Sequence, residues 1–292
     1  MFAVDTVYVL PTGRDSYAVL DLLRSLRWGS RSSHYTVIVD RKKTVQLPAD
    51  ITDGCTVLTI DQDSEISDQF VAGLGLKWCV DNGVTAKQFV LLDDKCMVLQ
   101  PGLDVWALEQ LAKQQVGLLG VKDRLNYEDA YPKVAPLLAV WELPHALFTP
   151  GPETLHEAAL FIASPLVQEM FKRNLLLPPN VEQWPLPYGP YISWLTQMYG
   201  LYQVAWGSMD LQMPPLYVNH TRHSRFQPAP HILNPQFKLY YSARNVMGYT
   251  EERLRESYKR MRGEQAKPFE PLRPTVSPQP IGPPSERRLP AG

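Results

Sequence analysis

The chain has 292 residues, with 29 lysines and arginines against 30 aspartates and glutamates, which gives a net charge of −1. Its composition of 45% hydrophobic and 20% charged residues is typical of a globular protein and excludes collagen-like, coiled-coil and wholly disordered chains. A net charge near zero also excludes a strongly cationic protein that binds nucleic acid or membrane surfaces through an overall basic excess.

Prolines are concentrated at the end of the chain, where eight fall among the last 25 residues, Pro268 to Gly292. This segment has few large apolar side chains, so burial could not offset the entropy lost on ordering it. We therefore expect residues 263–292 to form a disordered, proline-rich tail. The remaining residues are enough for one large α/β domain.

The N-terminal segment and the cysteines predict a cytoplasmic protein. Residues 1–13 have no basic region before their apolar run, and Asp5 interrupts that run, so we expect no signal peptide. No window contains the ~18 apolar residues that a membrane-spanning helix needs. The cysteines are odd in number and lack metal-ligand spacing, which predicts reduced, mostly buried thiols at Cys55, Cys79 and Cys96.

Strand and helix patterns alternate over the first 122 residues. Such alternation predicts a doubly wound, mostly parallel sheet flanked by helices. The run Phe89–Leu92 is wholly apolar, which indicates a strand buried on both faces. The strand patterns cover residues 7–10, 35–39, 55–60, 89–92 and 116–121, and the helical patterns cover 19–26, 67–82 and 103–115.

The second half of the chain has a different pattern. Residues 123–157 are rich in proline, tyrosine and leucine and predict a long loop with an added hairpin. A strand that runs into a helix is predicted over residues 158–174, a helix over 191–200 and a short strand over 202–206. Thr250 is a typical N-cap for a charged terminal helix over residues 250–262.

Polar side chains follow three of the predicted strands, at the edge of a parallel sheet where ligands bind. They are Thr12, Asp40 and the run Asp93-Asp94-Lys95. Paired carboxylates after an apolar strand are costly to bury unless a cation meets them. The residues leave two interpretations open: a metal or polyphosphate site, or an exposed strand end with helix-capping aspartates.

Three segments resemble nucleotide-sugar glycosyltransferases of the GT-A fold. They are Val9–Thr12 with the helix that follows, Thr36–Asp40, and Phe89–Gly102, which is similar to the strand that carries the Asp-x-Asp motif. The resemblance covers roughly residues 5–222. It implies one GT-A-like domain over residues 1–262, with a nucleotide-binding half (1–122) and an acceptor half with a terminal helix (123–262).

The resemblance also implies an activity: transfer of a sugar, as a hexosyl group, from a nucleotide-diphosphate sugar to a hydroxyl acceptor. Thr12 and Asp40 would hold the nucleoside. Lys77 lies 16 residues before Asp93, much as related enzymes place a lysine that meets the donor phosphates. A single lysine at such a position is more often a solvated residue on an exposed helix face than a functional group.

The resemblance implies a divalent metal, Mn²⁺ or Mg²⁺, bound by Asp93 and Asp94, with His220 as a further ligand. Lys95 departs from the family pattern, because the third position of the motif normally supplies a carboxylate and these ions prefer oxygen ligands. Either Asp94 is the ligand in a shifted register, or no metal is used and Lys95 neutralises the departing diphosphate. The first alternative is favoured slightly.

A catalytic base is implied only for an inverting enzyme. Related enzymes often have a Glu-Asp pair at the start of the late helix, where this chain has Tyr188 and Gly189. Glu182 and Glu157 are the other candidates for a base. Trp184, in a proline-rich loop, is the aromatic residue that we expect to contact a ligand.

Other functions are less compatible with the sequence. A non-catalytic GT-A-like module that binds a nucleotide or glycan is the main alternative, favoured by Lys95 and by the missing Glu-Asp pair. Residues 251–292 carry nine lysines and arginines against six acids, too small an excess to favour a nucleic-acid acceptor. The chain lacks the glycine-rich, Walker A and Gly-x-Ser-x-Gly motifs of dinucleotide enzymes, P-loop NTPases and α/β-hydrolases.

Overall fold

The computed structural model describes residues 2–12, 16–41, 45–49, 51–60, 70–113, 115–122, 132–133, 135–136, 154–178, 181, 184, 186–208, 216–219 and 238–242. Most of the predicted loop over residues 123–157 lies outside these ranges. The predicted terminal helix over 250–262 and the predicted tail over 263–292 also lie outside them.

Up to residue 122, the described residues form strands interspersed with helices. The strands are β1 (Phe2–Thr12), β2 (His34–Asp40), β3 (Cys55–Thr59), β4 (Val84–Leu92), β5 (Cys96–Val98), β6 (Val116–Lys122), β7 (Leu155–Ala163), β8 (Tyr202–Ser208), β9 (Leu216–Asn219) and β10 (Leu239–Ser242). The helices are α1 (Ser16–Gly29), α2 (Val71–Asp81), α3 (Leu103–Leu111), α4 (Ser164–Lys172) and α5 (Tyr188–Met198).

Seven strands form the main sheet, in the order β3-β2-β1-β4-β7-β6-β8. The first four strands in this order run parallel to one another. Strand β7 is antiparallel to both of its neighbours, and β8 is parallel to β6. The predicted fold class is therefore confirmed: an α/β protein with a mostly parallel sheet flanked by helices, consistent with a GT-A-like fold.

Helices cover both faces of this sheet. Side chains from α2, α4 and α5 pack in one apolar cluster, and side chains from α1 and α3 pack in a second cluster on the other face. Strand β4 contributes Phe89 and Leu91 to the first cluster, and Val90 and Leu92 to the second. All four are at most 2% exposed, which confirms that the apolar run is buried on both faces.

A second sheet, which the sequence analysis did not predict, has the order β5-β10-β9. Strand β10 pairs antiparallel with β5 and parallel with β9. Strand β5 follows Lys95 directly and lies against α1, where the backbone N–H of Val98 donates a 3.1 Å hydrogen bond to Ser25 Oγ. The turn at residues 93–95 is therefore fixed at both ends, by β4 and by β5.

Several element boundaries differ from the predicted ones. Helix α3 ends at Leu111, and Gln115, its predicted last residue, has a positive φ of 67° that a helix does not allow. Helix α5 begins at Tyr188, three residues before its predicted start. Pro190 fits in its first turn because the first N–H groups of a helix have no partner within it.

The three cysteines agree with the predicted reduced thiols. All are free, with Cys79 and Cys96 buried and Cys55 half-buried. Burial raises the pKa of the Cys79 thiol to about 12. Among the described helices, none has an apolar stretch long enough to cross a membrane.

Candidate functional site

The carboxyl ends of β1, β2 and β4 meet at one edge of the main sheet, because these strands are parallel neighbours. Thr12, the last residue of β1, is in register with Asp40, the last residue of β2. Strand β7 runs in the opposite direction, so its first residues reach the same edge. There the backbone N–H of Asp93 donates a 3.0 Å hydrogen bond to the carbonyl of Ala158.

Thr12 and Asp94 are joined directly. The Thr12 hydroxyl donates a 3.0 Å hydrogen bond to Asp94 Oδ2. The two residues are 4% and 6% exposed, so this bond links the ends of β1 and β4 in a nearly dry environment. The roles predicted for these residues, with a nucleoside for Thr12 and a metal for Asp94, stay predictions.

Asp93 closes the turn that carries Lys95. The Asp93 Oδ1 atom accepts a 2.9 Å hydrogen bond from the backbone N–H of Lys95, and the Asp93 carbonyl accepts one of 2.9 Å from Cys96. The Lys95 ammonium lies 3.8 Å from Asp93 Oδ2. The Lys95 side chain is only 14% exposed, against 27% for Asp93. The turn therefore holds a mostly buried cation beside Asp93.

Asp40 closes the turn after β2. Its Oδ2 atom accepts a 2.8 Å hydrogen bond from the backbone N–H of Val45, and its carbonyl accepts one of 3.1 Å from Ile60. The residue is 1% exposed. Its carboxylate thus shapes the loop next to Thr12, and its predicted contact with a nucleoside stays a prediction.

Lys77 lies in the middle of α2, away from the turn at residues 93–95. Its ammonium forms a 2.5 Å ion pair with Asp81 on the same helix. It also lies 5.9 Å from the centre of the Phe171 ring on α4. These contacts direct Lys77 toward α4, and no contact among the described residues joins it to Thr12 or Asp94.

Strand β7 is irregular where it reaches the strand-end site. Gly120 and Lys122 of β6 are two residues apart, but their partners on β7, Leu160 and Leu155, are five residues apart. The additional residues form a bulge, a feature that redirects side chains near functional sites. Within the bulge, the backbone N–H of Ala158 donates a 3.0 Å hydrogen bond to Nδ1 of His156.

The same bulge carries Glu157. Its Oε2 atom is buried and has no hydrogen-bond partner among the described residues. A buried carboxylate oxygen without a partner is costly, and such atoms call for a functional explanation. Of the two acids proposed as a base, Glu157 is the one that the structure describes; Glu182 lies outside the described residues.

Helix α5 packs against this bulge through Gly189. A Cβ atom at Gly189 would lie 2.1 Å from the Leu155 carbonyl oxygen and 2.9 Å from the Glu157 nitrogen. The Leu155 N–H donates a 2.9 Å hydrogen bond to Ser193 Oγ, one turn further along α5. The sequence signal for this close approach is Gly189 itself, at a position where related enzymes often have an acid.

The described residues do not fit a divalent metal. They contain no group of three or more histidine, cysteine, aspartate or glutamate side chains that could hold such an ion. Asp94 is engaged by Thr12, and Asp93 lies beside an ammonium that would repel Mn²⁺ or Mg²⁺. His220, the third predicted ligand, lies outside the described residues.

The aromatic residues near α5 belong largely to the core. Trp184 is 6% exposed, and its ring centre lies 5.2 Å from that of Tyr191 and 5.6 Å from that of Trp194. Both contacts are edge-to-face, the usual geometry of packed aromatic rings. The expected contact of Trp184 with a ligand is therefore not supported, and Tyr191 and Trp194 are buried in the same core.

Comparison with known proteins gives a likeness of fold. No family model matches the chain, and no curated protein matches it. Among solved structures, the chain is similar to a mannosyltransferase from Pyrobaculum calidifontis in complex with GDP-mannose and Mn²⁺. The TM-score is 0.44 at 16% identity, over 70% of this chain and 55% of that one. The chain thus spans about half the length of that enzyme, and at this identity the likeness concerns the fold alone.

Proposed function

We propose that the chain is a glycosyltransferase that moves a sugar from a nucleotide-diphosphate sugar to a hydroxyl acceptor. The observation that carries this proposal is the bond from Thr12 to Asp94, which joins two strand ends beside the pair of Asp93 and Lys95. Glu157 approaches the same edge from β7. A cation and a carboxylate with one oxygen that has no partner among the described residues suit a reaction that expels a diphosphate and removes a proton.

On the donor side, Thr12 and Asp40 border the nucleoside, as two paired residues at neighbouring strand ends. Lys95 contacts the diphosphate, because an ammonium binds phosphate oxygens as a compact charge with three donors. We assign this role to Lys95 before Lys77, because Lys95 lies in the turn that follows β4, whereas Lys77 lies in α2 and its ring contact is with α4. Asp94 keeps the strand ends together through its bond from Thr12.

On the acceptor side, Glu157 acts as the general base. The acceptor hydroxyl loses its proton to Glu157 as its oxygen bonds to the anomeric carbon, and the bond from that carbon to the diphosphate breaks. The nucleoside diphosphate leaves with the electron pair. His156 does not take this proton at Nδ1, because that atom accepts a hydrogen bond from the Ala158 N–H.

The test is a panel of uridine and guanosine diphosphate sugars, with release of nucleoside diphosphate and transfer to alcohols measured by mass spectrometry. Wild type should consume at least one donor. Glu157→Gln should be slower by about 10²–10⁴-fold, the usual contribution of a general base. Glu169→Gln, which removes surface ion pairs with Lys172 and Arg173, is the matched control and should keep wild-type activity.

One specific observation favours a second candidate function, a non-catalytic module that binds a nucleotide or glycan. Helix α5 begins with Tyr188 and Gly189 and has no acid in its first turn. This module would bind nucleoside diphosphates but consume none of the donor sugars. Binding without turnover across the panel would therefore favour the module over the enzyme.

A further inference from the structure

We propose that the donor diphosphate is neutralised by the Lys95 ammonium, oriented by Asp93, so that donor binding requires no divalent metal ion. This inference rests on the proposed function, because it concerns how the same site holds its donor. It replaces the divalent metal implied by the Asp-x-Asp resemblance with a cation that belongs to the chain itself.

The first support is the rigidity of the turn that carries Lys95. The Asp93 carboxylate accepts the Lys95 N–H, the Asp93 carbonyl accepts the Cys96 N–H, and the Asp93 N–H donates to Ala158. These three hydrogen bonds hold the backbone between β4 and β7. A cation on such a turn needs little reorganisation when negative charge develops near it.

The second support is the burial of the Lys95 side chain. Lysine is among the residues least often buried, since its ammonium is strongly hydrated. Here the Lys95 side chain is 14% exposed, whereas the side chain of Lys87, in strand β4, is 73% exposed. Burying the stem of Lys95 fixes the ammonium at the strand edge, where the proposed diphosphate binds.

The third support is the set of contacts that the carboxylates of Asp93 and Asp94 already make. The ammonium of Lys95 is 3.8 Å from Asp93 Oδ2, so a divalent ion on Asp93 would meet a like charge within one ion-pair distance. Asp94 accepts the Thr12 hydroxyl at 3.0 Å and is 6% exposed. Asp93 is therefore engaged with the Lys95 cation, and Asp94 joins the strand ends through its bond from Thr12.

Titration calorimetry with UDP and GDP tests this inference, first in excess EDTA and then in Mn²⁺. Wild type should bind one of them with a Kd that agrees within about threefold in the two conditions. Lys95→Ala should weaken binding by about tenfold or more in EDTA, the loss expected for a charge-assisted hydrogen bond. Lys87→Ala, which also breaks a lysine–aspartate pair, should bind as wild type does.

Lys95→Asp provides a second variant with the opposite expectation. It supplies the carboxylate that the family pattern has at this position, so Mn²⁺ should strengthen its nucleotide binding by about tenfold or more while EDTA abolishes it. Circular dichroism and thermal melting establish that each variant is folded. Equal binding by Lys95→Ala and wild type in EDTA would overturn the inference.

The outcomes separate this inference from the proposed function. Wild-type binding that appears only with Mn²⁺ would overturn the metal independence and leave the glycosyltransferase intact. Binding of neither nucleotide in either condition would overturn both the inference and the donor site. Binding that is equal in EDTA and Mn²⁺ and lost in Lys95→Ala would support both.

Discussion

Thr12 donates a 3.0 Å hydrogen bond to Asp94, across 82 residues of sequence. The bond connects the end of β1 to the residue pair that follows β4, and it supplies a partner for a carboxylate that is 6% exposed. A buried charge needs such a partner. The contact thus stabilises the fold and shapes the candidate site.

Replacing Thr12 should therefore affect both stability and binding. Thr12→Val keeps the shape of the side chain but removes the donor, and we expect the free energy of unfolding to fall by about 1–3 kcal/mol. Thr12→Ser keeps the hydroxyl and should lose less. Urea denaturation measures the difference, and equal stability of wild type and Thr12→Val would contradict the role given to this bond.

Asp104 should matter for stability alone. This residue is 1% exposed, and its carboxylate accepts hydrogen bonds from the backbone N–H groups of Arg31 and Ser32. Asp104→Ala leaves these groups without their acceptor, which should lower the free energy of unfolding by about 3 kcal/mol or more. Asp104→Asn should lie between this variant and wild type.

The control for Asp104 is the nucleotide affinity of the folded protein. Asp104 lies in the first turn of α3, where its carboxylate binds the loop between α1 and β2, and none of its described hydrogen bonds reaches Thr12 or Lys95. Both Asp104 variants should therefore bind nucleotide with wild-type affinity at a temperature where they are folded. A selective loss of binding without a loss of stability would show that this interpretation is wrong.

His34 should make the protein less stable in mild acid. Burial lowers the pKa of this histidine, and this effect exceeds the opposite influence of the Ser32 carbonyl and of Asp104. The unfolded chain takes up the proton near pH ~6.5, before the folded chain does. The free energy of unfolding should therefore fall as the pH drops through that value, and should level off below the folded pKa.

The comparison with His34→Gln isolates this effect from other titrating groups. Urea denaturation at a series of pH values between about 7 and 5 gives the slope for each protein. The variant should have a smaller slope than wild type. Parallel curves for the two proteins would contradict the assigned direction of the pKa shift.

Gly189→Ala should disturb the β7 bulge. The added Cβ would lie 2.1 Å from the Leu155 carbonyl oxygen, a backbone atom that cannot move aside by a change of rotamer. We expect a loss of about 1–3 kcal/mol in stability from overpacking, together with a displaced Glu157 and reduced turnover. Melting curves and donor consumption measure the two effects.

Gly75→Ala is the matched control for this variant. Its Cβ would lie 2.5 Å from Val9 Cγ1 and 2.9 Å from Val39 Cγ2, which are side-chain atoms in the core. This variant should lose a similar amount of stability but keep its turnover per folded molecule. If both variants lost turnover equally, the link from Gly189 to the position of Glu157 would be wrong.

Local patterns in the sequence predicted the central part of the fold. The apolar run before Asp93 indicated a strand buried on both faces, and Phe89 and Val90 do pack in opposite clusters. The polar residues after parallel strands also indicated the edge where Thr12 and Asp94 meet. These features depend on residue type and spacing over a few positions, which a sequence displays directly.

Features that depend on distant pairing were not predicted. Strand β5 has three residues, and its partner β10 lies more than 140 positions away, so nothing local indicates the second sheet. The β7 bulge depends on its register with β6 and on the close approach of Gly189. Both are set by tertiary packing.

The type of a residue did not determine whether its side chain lies at the site. Lys77 and Trp184 could each contact a ligand, but an ion pair with Asp81 and two aromatic contacts direct them elsewhere. Lys95 showed the opposite case. Lys95 departs from the expected metal-binding motif, and in the structure its side chain is nearly buried and forms an ion pair with Asp93.

The central claim is that the strand edge holding Thr12, Asp94, Lys95 and Glu157 transfers sugars from nucleotide donors. The most direct measurement is mass-spectrometric detection of nucleoside diphosphate release and glycoside formation by wild type and Glu157→Gln, in EDTA. The account predicts turnover of at least one donor by wild type and a loss of about 10²–10⁴-fold in the variant. Equal turnover by the two proteins, or none by wild type with or without Mn²⁺, would contradict it.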